Sequence, residues 1–186
     1  MGEIERKHAG EQFGAFWEEI FHISSACVFA SVAALEAYAN ELFFDRAKVF
    51  PGYSSPLLDR LWETFEQKSI TEKFEFALLL RNRETMNRGA RPHQDAAALI
   101  DLRNGLMHFK PEWENEAERH EKISRQLHAR FSPSPFLSDR LLFPRRWATH
   151  SCTKWAVESS LAFCNEFGRL AGLDSRFNGF ADRLTP

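Results

Sequence analysis

Apolar positions recur along this chain at spacings of three and four residues, and that period predicts helices from one end to the other. Residues 11–48 read as one long helix. Its segment ACVFASVAALEAYANELFF is apolar on most sides, with Glu36 and Asn40 four apart on a polar strip. A helix apolar around most of its girth belongs in the middle of a bundle. Pro51-Gly52 stops it. A second helix is expected over 57–67. Ser69-Ile70-Thr71-Glu72 has the spacing of a capping box and opens a third, through about Arg81. RNRETMNRGARPH (81–93) lacks periodicity and reads as a loop. From Asp95 to Phe109 another helix carries Leu99, Leu102, Leu106 and Phe109 as one apolar stripe. Pro111 suits a first helical position, and the charged stretch from there to Arg130 reads as an exposed helix. SPSP (132–135) breaks it. Pro144 is expected to open a last long helix ending near Gly172, with Ala148, Cys152, Trp155, Ser159 and Ala162 on one face and Phe163, Phe167 and Leu170 extending it. No segment reads as a strand. The expectation is an all-α fold, an antiparallel bundle of four to five helices. It forms one domain over 1–186, with a core at about 11–172 and a loosely packed tail over 173–186.

Composition narrows this little. The chain is 44% hydrophobic with 18 phenylalanines, ample for a core, and its 8 prolines and 9 glycines speak against low-complexity disorder. Charge is more informative, because it is uneven. Residues 1–50 hold 4 basic and 8 acidic side chains, whereas residues 81–110 hold 6 basic and 3 acidic ones. The second stretch can attract an anion although the whole chain, at net −2, does not. A solvated arginine-rich loop has the same composition. Cys27, Cys152 and Cys164 form no C-x-x-C pair and are expected as reduced thiols in a cytoplasmic protein. The N-terminus mixes both charge signs and does not look like a signal peptide. The uncharged run Ile20–Leu35 is shorter than a membrane span, so no membrane association is expected.

Familiar catalytic signatures are absent: no G-x-G-x-x-G, P-loop, G-x-S-x-G or H-E-x-x-H occurs. His120 and His128 are eight apart on a charged helix, but no tighter ligand spacing accompanies them, and no metal site is expected.

The segment ALIDLRNGLMHFKPEW (98–113) stands apart. Arg103 and His108 form R-x4-H, with the polar Asn104 directly after the arginine. The same spacing occurs at Arg88–His93 and Arg145–His150, but only the 103–108 match combines a helix, the asparagine and an apolar stripe. This resembles the signature of HEPN-family domains, many of which are RNA-cutting toxins or antiviral effectors. The outline likeness covers roughly 15–172, and its specific part is Arg103 to His108. The resemblance implies a metal-independent endoribonuclease of HEPN-like fold that needs no cofactor. It implies a homodimer with two motifs facing one cleft, RNA as substrate, and a cognate antitoxin or nucleotidyltransferase as a partner.

Those residue types suit RNA cleavage. RNA carries its own nucleophile, the 2′-hydroxyl. A histidine can take its proton near neutral pH, and an arginine presents a planar fork to the phosphate oxygens. Asn104, four residues before His108, can orient the imidazole or bind a phosphate oxygen. Arg81, Arg83, Arg88 and Arg91 in the preceding loop, with Lys110 just past the motif, are the expected phosphate contacts. One geometric difficulty stands. Residues five apart on a regular helix point ~140° away from each other. Either Gly105 permits distortion or early termination, or two chains share the site. Two other classes of function fit the same residues: a non-catalytic helical module binding RNA, a nucleotide or a protein, and an interaction domain with no role on nucleic acid. In that last reading Arg103 is a surface residue and His108 is favoured at a helix C-terminus by the dipole.

Overall fold

The structure is a computed structural model, and it describes residues 1–113 and 117–174. It is all-helical, with no strand among the described residues. The helices are α1 (Gly2–Lys7), α2 (Phe16–Phe44), α3 (Arg46–Val49), α4 (Ser55–Phe65), α5 (Ile70–Leu80), α6 (Arg91–Met107), α7 (Glu118–Leu127) and α8 (His150–Ala171), with a kinked turn at Leu142–Arg146 in which Phe143 is extended. The chain divides into two compact units. One comprises residues 1–32 and 94–159, the other 33–93 and 160–186, so α2, α6 and α8 contribute residues to both.

In the first unit, aromatic side chains from α2 meet those of the segment before α8. Phe16 sets its edge against Phe136 at 4.9 Å, and Phe21 meets Trp147 at 5.5 Å. Helix α8 starts at Thr149, whose Oγ1 accepts from the Cys152 N–H at 3.0 Å, an N-cap bond. The expectation that Pro144 opens this helix is corrected. The helix begins six residues later, at His150, where the Thr149 cap sets its start. Glu5 accepts the His150 N–H at 2.7 Å, placing a carboxylate at the positive end of α8.

The second unit is built on stacked phenylalanines. Phe74 packs its edge on Phe163 (5.1 Å) and Phe167 (4.8 Å), and Phe43 stacks on Trp62 (4.6 Å). The capping box at Ser69 is present with both of its bonds, and α5 opens where the sequence places it. Arg81 ends that helix, with Nε donating to the Ala171 carbonyl at 2.7 Å and Nη1 to that of Val49.

Three further expectations change. Helix α2 is not buried all round: His22, Ile23, Ala26, Ala30, Ala33, Ala34 and Ala37 are exposed, because alanines offer too little area to require cover. By length and composition it is a helix that could cross a membrane, with 33% of its apolar window buried. The loop after α5 is shorter than expected, since α6 already begins at Arg91. The segment from Pro111 to Arg130 is not one exposed helix. Residues 111–113 are non-helical, residues 114–116 lie outside the described ones, and α7 buries His120, Ile123, Ser124 and Leu127 on one face. Of the expected tail, residues 175–186 also lie outside the described residues.

Candidate functional site

Helix α6 carries the Arg103–His108 motif within the first unit. Leu99 and Leu102 are wholly buried and hold the helix in place. Arg103 and Asn104 are half-buried. The Arg103 Nε is sealed from solvent and has no hydrogen-bond partner, an orphaned cationic donor. His108 is exposed one residue past the helix end, its N–H still bonded to the Asn104 carbonyl at 3.0 Å.

Gly105 does not bend or terminate the helix, which continues to Met107. Its purpose is close approach. A Cβ there would lie 2.7 Å from Ile123 Cδ1 and 3.3 Å from the Phe143 ring. Glycine lets Ile123 and Phe143 press against α6 at this level, where a Cβ would make the Ile123 terminal methyl turn away and the Phe143 ring give by a few tenths of an ångström. With α6 regular, Arg103 and His108 of one chain diverge around the helix axis.

Beyond His108 the chain lines a recess of about 290 Å³. Phe109, His120 and Phe143 form its aromatic walls, with Glu112, Arg140 and Arg145 among the polar groups. The His120 ring lies near-parallel to Phe109 (5.7 Å, 17°) and edge-on to Phe143 (5.1 Å, 68°). Its Nε2 lies 3.0 Å from the Lys110 carbonyl, which can only accept, so that nitrogen carries the proton. Glu112 Oε2 accepts the His120 backbone N–H at 3.0 Å and lies 3.9 Å from Nδ1. Phe143 is anchored through its own N–H, which donates to Ser124 Oγ at 3.0 Å. The many charges of 111–130 mask this recess. The available signal was the 3-and-4 spacing of His120, Ile123 and Leu127.

The loop arginines belong to the second unit, not to that of the motif. Arg81 is engaged by two backbone carbonyls, a clamping role that the sequence did not suggest. Arg88 forms a two-bond pair with Glu75 (2.9 and 2.8 Å), and His93 Nε2 lies 3.9 Å from the same carboxylate. The second R-x4-H match thus converges on one acidic group. Burial holds the His93 imidazole below its ordinary pKa, with Glu75 opposing and Arg88 reinforcing the shift. Its Nε2 is sealed from solvent. Arg83, Arg91 and Lys110 are exposed. Arg145 of the third match pairs with Asp139 (2.9 and 2.7 Å), and His150 is exposed.

His120 and His128 do not share a face as ligands: one is buried, the other lies exposed at the end of α7. Among the described residues no three His, Cys, Asp or Glu side chains are grouped to hold a metal ion. Burial raises the thiol pKa of Cys27 and Cys152, and that of Cys164 to about 12, so all three are poor nucleophiles. No protein-family profile, no curated protein and no solved structure matches this chain.

Proposed function

We propose that this protein is a metal-independent endoribonuclease of HEPN type, acting as a homodimer. His108 moves the proton of the attacking 2′-hydroxyl, Arg103 stabilises charge on the phosphate, and Asn104 orients the reacting groups. The observation that carries the reading is the orphaned Arg103 Nε, buried on the same helix that ends at the exposed His108. A buried guanidinium nitrogen without a partner is costly, and a shift of the half-buried Arg103 side chain would let an anionic ligand supply one.

Because Arg103 and His108 diverge on a regular helix, the proposed catalytic unit draws Arg103 from one protomer and His108 from its partner. Exposed apolar side chains close to the motif in the chain, Met107 at 58% and Trp113 at 81%, offer surface for association. The proposed substrate is RNA and the products are a 2′,3′-cyclic phosphate and a 5′-hydroxyl. Arg83, Arg91 and Lys110 are the proposed phosphate contacts, and Arg88 joins them if phosphate displaces Glu75. An antitoxin or nucleotidyltransferase that restrains the enzyme, and a cytoplasmic setting, belong to the same proposal.

Complementation tests it. R103A and H108A should each be inactive on RNA in EDTA. Mixed dimers of the two carry one intact composite site, so co-refolded chains should recover about a quarter of wild-type activity. No recovery overturns the shared site. Wild-type dimer that leaves structured and unstructured RNA intact overturns the nuclease reading and favours a module that only binds.

A further inference from the structure

We infer that the recess formed by Phe109, His120 and Phe143 binds one unstacked base of single-stranded RNA. The inference deepens the proposed function, since it names the recognition subsite beside His108, and it rests on that reading for its place in cleavage.

Size, shape and charge point the same way. A volume of about 290 Å³ is at the small end for ligand sites, enough for a heterocycle and its sugar. Phe109 is 49% exposed, so one aromatic wall is open to a partner. Its other contacts are already made, with His120 and with Phe143 at 6.2 Å. A flat π-system is what such a wall takes up, and every base offers one.

The charges select a neutral ligand over an anion. Among the groups around the recess, Arg145 is paired with Asp139, and Arg140 with Glu121. With Glu112 also present, there is no net positive charge to hold a phosphate or carboxylate by itself. A base edge, in contrast, carries both donors and acceptors and can use a carboxylate and a guanidinium together. The phosphate lies outside. His108 and Lys110 flank Phe109 in the chain and both are exposed, so the backbone of a strand stacked on Phe109 can reach either side chain.

The test uses a fluorescently labelled, mixed-sequence single strand of 2′-O-methyl RNA, which lacks the nucleophile and reports binding whether or not the protein cuts. Full-length wild type, F109L and F109W are compared. Leucine keeps the apolar contact to Phe143 and removes the stack, and circular dichroism checks that each variant is folded. Wild type should bind saturably, F109L roughly 5- to 100-fold more weakly, and F109W within about twofold of wild type. A duplex of the same sequence should compete poorly. Equal binding by F109L, no binding by wild type, competition by duplex as good as by single strand, or a mononucleotide binding as tightly as the strand overturns the inference. The two readings separate cleanly. Phe109-dependent binding without cleavage of ordinary RNA sinks the nuclease and leaves the subsite. Cleavage with Phe109-independent binding does the reverse.

Discussion

Replacing Gly105 by alanine adds one methyl group at the tightest point between α6 and α7. Two effects oppose each other. Alanine in a helix interior is favoured over glycine by about 1 kcal/mol. Against that, the new Cβ would stand 2.7 Å from Ile123 Cδ1, ~1 Å inside ordinary carbon–carbon contact. Ile123 is 5% exposed, and on the other side the Phe143 ring, 1% exposed, stands 3.3 Å from the same Cβ. The methyl that must move sits in packed surroundings, where overpacking costs about 1–3 kcal/mol. The expected net effect is a destabilisation of about 1 kcal/mol, read as a lower urea midpoint at unchanged slope. Ile123→Val removes the Cδ1 atom and alone costs about 0.5–1.5 kcal/mol. In the double variant the clash is gone, so its loss should be smaller than the sum of the singles by at least about 0.5 kcal/mol. Strict additivity, or a Gly105→Ala protein more stable than wild type by the full propensity gain, would refute the close-approach account.

Arg81→Lys should cost about 1–3 kcal/mol in thermal or urea unfolding, because one ammonium cannot serve both the Val49 and Ala171 carbonyls; loss of RNA affinity with no loss of stability would favour its expected phosphate role. Lys73 is 3% exposed, donates to Asn40 Oδ1 at 3.2 Å and lies 3.8 Å from Glu36. Removing its partner by Asn40→Leu should destabilise by ~1–3 kcal/mol, whereas Lys73→Met should be near neutral, and equal losses in denaturant melts contradict this. His93 has a pKa below the usual 6.5, so the unfolded chain binds the extra proton first. Its contribution is therefore fully present above pH 6.5 and is lost as pH falls through the lower folded value. Between pH 7 and 5, unfolding midpoints of wild type should fall more steeply than those of His93→Gln; parallel profiles refute the assignment.

Local chemistry was legible in the sequence, because its partners are a few residues apart. The Ser69–Glu72 box rests on bonds within one helix and is in the structure, whereas the longer stripes hold only in part. Leu99 and Leu102 are buried, but Leu106 is half-buried and Phe109 lies exposed past the helix end; Phe163 and Phe167 are buried, but Ala162 is exposed. The helical class follows from the same periods. What tertiary structure decided lies between segments distant in the chain. Gly105 read as a place for distortion, yet its lack of a Cβ serves Ile123 and Phe143, 18 and 38 positions further on. Arg81 looked like one more loop cation, until folding brought two helix-end carbonyls to its guanidinium. The charged run around α7 concealed a buried face, since one apolar stripe is enough to dock a helix whatever covers its other side. R-x4-H spacing alone did not distinguish its three occurrences. Folding gave Arg88 and His93 a common carboxylate, paired Arg145 with Asp139, and left the Arg103 Nε buried without a partner. A spacing states which residues are near in the chain, whereas burial and partners, which set their chemistry, come from residues the spacing does not contain.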